Sequence, residues 1–111
     1  MSKAVIVIDQ SEVSGKALMA IKPLTGASLA DLKLAIGGGL PILSEKLFYN
    51  NHDDVSQKLK SLLSVLHTES VSYSIYELDE ESEFKNEADH SVDKIDEETL
   101  LNILNSHRSR S

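Results

Sequence analysis

The chain contains no cysteine. A disulfide scaffold, a thiolate zinc site and a cysteine nucleophile are therefore excluded, and a reducing compartment fits. Long apolar runs are also missing. The run Ala4-Val5-Ile6-Val7-Ile8 is shorter than the roughly 7–15 residues of a signal-peptide core. No stretch approaches the roughly 18 residues of a membrane span. The expectation is a cytoplasmic protein that does not enter a membrane. The four histidines, His52, His67, His90 and His107, form no His-x-x-x-His pair, and no Gly-x-Ser-x-Gly elbow occurs. Most acids lie in a polar stretch where no cleft between paired carboxylates is expected. The sequence thus points away from an enzyme and calls for no cofactor and no metal.

What is present is one modest core and an uneven charge. The 111 residues are 41% hydrophobic, enough for a single small domain. The net charge is −7, yet residues 1–76 hold seven acids and seven lysines and are neutral. Residues 77–98 hold eleven acids against two lysines, a net of −9, and Arg108 and Arg110 return +2. So strong a local negative charge repels phosphate backbones and argues against nucleic acid. It attracts a basic surface.

Residues 3–9, rich in Val and Ile, read as a buried strand. Val13, Ala17, Ile21 and Leu24 then recur at helical spacing, with Pro23 expected to stop or kink that helix. Ser28 is placed to cap a second, short helix whose face is Leu29, Leu32 and Ile36, and Asp31 complements its dipole. Gly37-Gly38-Gly39 reads as a helix stop and not a phosphate cradle, because a helix precedes it and Leu40-Pro41 follows. Residues 40–48 read as a second strand, with Pro41 marking an edge or a strand start. His52 beside Asp53 and Asp54 offers divalent-metal chemistry, but acids there suit a turn and helix start. Val55, Leu59, Leu62, Leu63 and Leu66 form the clearest amphipathic stripe in the chain. Residues 71–78 alternate as a third strand. Residues 80–94 carry few apolar side chains beyond Phe84 and Val92 and are expected to be extended or mobile. Asp96-Glu97-Glu98 opens a last helix bearing Leu100, Leu101 and Leu104.

The order strand, helix, helix, strand, helix, strand over residues 3–78, with Thr25-Gly26-Ala27-Ser28-Leu29-Ala30-Asp31-Leu32-Lys33 in its midst, resembles the C-terminal domain of the bacterial ribosomal stalk protein L7/L12 and, more loosely, the ClpS adaptor. Thr25, Gly26, Leu29 and Lys33 agree with the stalk pattern, and Asp31 keeps its acid. Ala30 stands where that family has a lysine, and nothing corresponds to residues 79–111. The resemblance implies an α/β fold of the α+β sandwich type: β-α-α-β-α-β, a three-stranded antiparallel sheet covered on one face by helices. The division expected is residues 1–79 as that domain and 80–111 as an acidic segment with a C-terminal helix. Fold does not transfer function by itself.

The acidic segment is the strongest functional feature. Its plain reading is a solvated tail. Its sharper reading is a docking surface for a basic protein, with Asp79, Glu80, Glu81, Glu83, Phe84, Glu87 and Asp89 as contacts. The function expected from that reading is immunity: neutralising a basic toxin, such as a nuclease, by direct binding. The alternative is a stalk-like or ClpS-like adaptor that recruits a translation factor or protease through the exposed face of the helix over 28–36, with Lys33 as a contact.

Overall fold

The structure is a computed structural model, and it describes residues 2–10, 12–47, 52–79, 81, 83–84 and 93–108. Eight elements follow one another: β1 (Ser2–Ile8), α1 (Gly15–Thr25), α2 (Leu29–Gly38), β2 (Pro41–Lys46), α3 (His52–Thr68), β3 (Tyr73–Asp79), β4 (Lys94–Ile95) and α4 (Glu97–Arg108). The fold is α+β, with a four-stranded antiparallel sheet in the order β2-β1-β3-β4. The fourth strand corrects the three-stranded expectation. Its two residues pair Ile95 with Ile75 and Lys94 with Tyr76, too short a stretch to leave a periodic signal.

β1 lies inside the sheet, with Ile6 opposite Leu43 of β2 on one side and Ile75 of β3 on the other. Pro41 begins the edge strand β2, where a missing N–H is tolerated. Beside it the β1–β2 register slips between Ile6 and Val7, leaving Ile42 as the extra residue of a bulge. Alternation along β1 sends Ala4, Ile6 and Ile8 to one face and Val5 and Val7 to the other. The first set joins the main core with Leu18 and Ile21 of α1, Leu32 and Ile36 of α2, Leu59, Leu62 and Leu66 of α3, and Leu100 and Leu104 of α4. The second set packs with Tyr76, Leu78 and Phe84. All four helices therefore feed one face, and the opposite face holds a small apolar cluster of its own.

Local chemistry sets the helix ends. Ser14 caps α1 by accepting from the Ala17 N–H at 3.2 Å, which moves the start of that helix well inside the stretch with apolar spacing. Pro23 does not end α1: its missing donor falls in the last turn, and the helix closes at Gly26, whose N–H reaches the Lys22 carbonyl at 2.9 Å. Ser28 caps α2 through the Asp31 N–H at 3.1 Å. α2 runs through Gly37 and Gly38 and stops at the third glycine. Gly39 takes φ +69, and the Leu40 N–H bonds back to the Ala35 carbonyl at 2.8 Å. α3 ends in the same way with a serine in the left-handed position. Ser70 has φ +56, and the Val71 N–H reaches the Leu66 carbonyl at 2.9 Å.

Two stability predictions follow from this packing. Leu62 is fully buried, so Leu62→Ala is expected to lower unfolding free energy by about 2–5 kcal/mol, read from urea denaturation. Ser70→Gly is expected to raise it by about 1 kcal/mol, because glycine removes the cost of a side chain at positive φ; an unchanged or lower urea midpoint would show that the serine side chain offsets that cost.

Candidate functional site

The acidic edge begins where β3 leaves the sheet. Asp79, the last residue of β3, is exposed and pairs in register with Ser2. Glu81 and Glu83 follow, both exposed. Phe84 is different: it is half-buried against the second apolar cluster, its ring 5.1 Å from that of Tyr76 and tilted by 57°. An aromatic pair at that spacing contributes about 0.5–1.5 kcal/mol beyond its burial. Phe84 therefore anchors this stretch to the sheet, while Asp79, Glu81 and Glu83 face solvent. Glu80, Glu87 and Asp89, the other anticipated contacts, lie outside the described residues.

Lys33 sits on the exposed side of α2. It borders an open groove of about 390 Å³ between α1 and α2, together with Glu12, Val13, Leu18 and Ile36. Leu34 beside it is 72% exposed, and Met19 and Leu40 are also largely exposed. Among the described residues these are the large apolar side chains left to solvent, and all three lie between positions 19 and 40.

A third feature escaped the sequence reading. His67 near the end of α3, Tyr73 at the start of β3 and Glu97 at the start of α4 meet at one point. Tyr73 Oη donates to Glu97 Oε1 at 2.7 Å, and His67 Nε2 lies 2.6 Å from the same oxygen and 3.1 Å from Tyr73 Oη. The phenol has one hydrogen and gives it to Glu97. The short His67–Glu97 contact then requires the hydrogen on His67 Nε2. Those bonds, Tyr73 first and His67 second, hold the Glu97 carboxyl below its usual range. Burial pushes the Tyr73 phenol upward, and the adjacent Glu97 charge adds to it. Asp96 caps α4 beside them, accepting from the Thr99 N–H at 2.7 Å; a hydrogen bond from the Thr99 side chain first, and this N–H bond second, hold its carboxyl below the usual range. Sequence separations of six and thirty residues gave no local pattern by which to find this group. Open grooves of about 570 and 370 Å³ flank it, the first lined by Tyr73, Lys94 and Asp96, the second by Lys60, Leu63 and Leu101, with Glu97 in both.

The side chains of His52 and Asp53 lie outside the described residues. Among the described residues no three His, Cys, Asp or Glu side chains gather as they would around a metal ion. No described helix is long and apolar enough to cross a membrane.

The Glu97 contacts generate a pH dependence. Its carboxyl sits below its unfolded value of 4.5 in the folded state. Stability from this group is present above that value and is lost as pH falls through the folded pKa. Glu97→Gln is therefore expected to flatten the acid limb: between pH 7 and about pH 3 its urea midpoint should fall less than that of the unmodified protein. Parallel limbs would show that the contacts contribute nothing. No protein-family model matches the chain, and comparison with curated proteins and with solved structures finds no match either.

Proposed function

We propose that the chain is a small acidic protein-binding domain of the immunity type, which neutralises a basic toxin such as a nuclease by docking on it. The observation that carries this reading is the pairing of exposed carboxylates with an anchor. Asp79, Glu81 and Glu83 emerge from the end of β3, and Phe84 ties the same stretch to Tyr76 on the sheet. A nuclease surface is basic because it binds phosphate, and an acidic surface is complementary to it and steers encounter. Anchoring reduces the ordering cost that a free tail would meet on binding. The reading places the protein in the cytoplasm and assigns it no catalysis and no cofactor.

A second reading has its own observation. Lys33, with Leu34, Met19 and Leu40 exposed nearby in sequence, suits a stalk-like or ClpS-like adaptor that holds a translation factor or a protease through α1 and α2. It draws on the likeness of the strand and helix order to those families.

The two are separated by one pair of variants. A basic nuclease-type toxin domain is the partner to test, by binding kinetics at low and high salt. Neutralising Asp79, Glu80, Glu81 and Glu83 to the amides is expected to slow association at low salt by about tenfold or more, with Lys33→Glu unaffected. Unchanged affinity in the four-fold variant would overturn the docking assignment. Binding of a translation factor or a protease that is lost on Lys33→Glu and kept in the four-fold variant would install the adaptor reading.

A further inference from the structure

The contact between His67, Tyr73 and Glu97 brings one nitrogen and two oxygen donors together from three separate elements. We propose that these residues form a binding site for a divalent first-row transition-metal ion, held by His67 Nε2, Tyr73 Oη and Glu97 Oε1 at the junction of α3, β3 and α4.

Geometry supports the assignment first. The three atoms stand 2.6, 2.7 and 3.1 Å apart. Donors at about 2.0–2.2 Å from a tetrahedral ion stand roughly 3.3 Å from one another. The triad has to open by less than about 1 Å on any side, within reach of side-chain rotation. Access supports it next. The His67 side chain is 62% exposed and that of Glu97 35%, and the two flanking grooves leave room for water as the remaining ligand. Chemistry then selects the ion. Imidazole with two oxygens suits Zn²⁺ and Cu²⁺, with Cu²⁺ the tighter, and is a poor set for Mg²⁺ or Ca²⁺, which take six or more oxygens.

Coordination needs a defined movement of protons. His67 transfers its proton from Nε2 to Nδ1 and so frees the Nε2 lone pair. Burial and Glu97 hold the phenolic proton of Tyr73 in the metal-free chain, so it leaves to solvent only as the ion's positive charge arrives, and Tyr73 then binds as phenolate. A carboxylate and a phenolate then balance the divalent charge. The ion replaces a hydrogen-bonded contact with metal bonds to the same three atoms, and it joins α4 to α3 and β3.

The test uses the full chain with Cu²⁺ and Zn²⁺ alone as probes. Calorimetry is expected to show one ion per chain. Visible absorption with Cu²⁺ is expected to show a phenolate-to-copper charge-transfer band. His67→Ala and Glu97→Gln should weaken binding by about tenfold or more, and Zn²⁺ should raise the melting temperature of the unmodified chain but not of His67→Ala. His52→Ala should bind normally. Tyr73→Phe keeps the ring, and therefore the packing, while removing the donor; loss of the band in that variant decides the point. Absence of binding, or a band and affinity that survive Tyr73→Phe and His67→Ala, would overturn the site and place the ion on other side chains.

Discussion

Five consecutive side chains of β1, Ala4 to Ile8, are withdrawn from water while its backbone is paired on both edges. A strand in that position is apolar on both faces, so the sheet has two surfaces to cover. On one face the helices meet that demand. Leu18, Ile21, Leu32, Ile36, Leu59, Leu62, Leu66, Leu100 and Leu104 converge over Ala4, Ile6 and Ile8. On the other face Val5 and Val7 lie with Tyr76 and Leu78, and Phe84 packs against them. The stretch that carries the acids is thus tied to the sheet by the hydrophobicity of the first strand. Uncovering Val5, Val7, Tyr76 and Leu78 would return to water four side chains whose burial contributes roughly 1.5–3 kcal/mol for each large aliphatic one.

α4 shows a different balance. Leu100 and Leu104 are fully buried against the main core, and that burial supplies most of the energy holding the helix. Its polar contacts at the rim, Lys60 Nζ to Asn105 Oδ1 at 3.0 Å and the Glu97 contacts with His67 and Tyr73, are part-exposed and individually weak. What they add is direction. A two-leucine stripe fixes a helix against a surface but leaves its rotation and register loosely set. Hydrogen bonds at both ends of the α3–α4 contact restrict both. Asp96 adds the cap that starts the helix beside the bond from Tyr73 to Glu97.

Much of this was legible in the sequence where the signal is local. The stripe Val55, Leu59, Leu62, Leu63 and Leu66 is buried along its whole length, because helical period alone determines which side faces the core. Ser28 caps its helix, and Pro41 opens an edge strand, because each follows from one residue's own chemistry. What was not legible depends on distant partners. β4 has two residues and exists through its pairing with Ile75 and Tyr76. The second apolar cluster was hidden because Tyr76 and Leu78 share their face of β3 with Ser74, and Ser72 precedes it in the same alternation, so the pattern reads as half polar. Ser74 is accommodated there by donating to Asp9 Oδ2 at 2.8 Å. Of the anticipated contacts, Asp79, Glu81 and Glu83 were visible as charge, whereas the role of Phe84 as an anchor needed the sheet behind it. His67, Tyr73 and Glu97 had no shared motif at all.

Charge placed on a tethered segment differs physically from the same charge on a free one. A free polyanion attracts any cation, and each contact it makes on binding is reduced by the entropy of ordering the chain. Asp79 is the end of a paired strand, and Phe84 fixes the chain again five residues later. The described residues of the intervening span, Glu81 and Glu83, therefore lie between two points fixed on the sheet. Their carboxylates keep their long-range pull, which falls off over roughly 8–10 Å at physiological salt, and gain a limited set of positions from which to exert it. Restriction of this kind turns attraction toward positive charge in general into preference for positive charge in one arrangement. On the docking reading proposed above, specificity for a single basic partner would draw on that preference, and the anchor behind it is the cover that Phe84 gives Val5 and Val7.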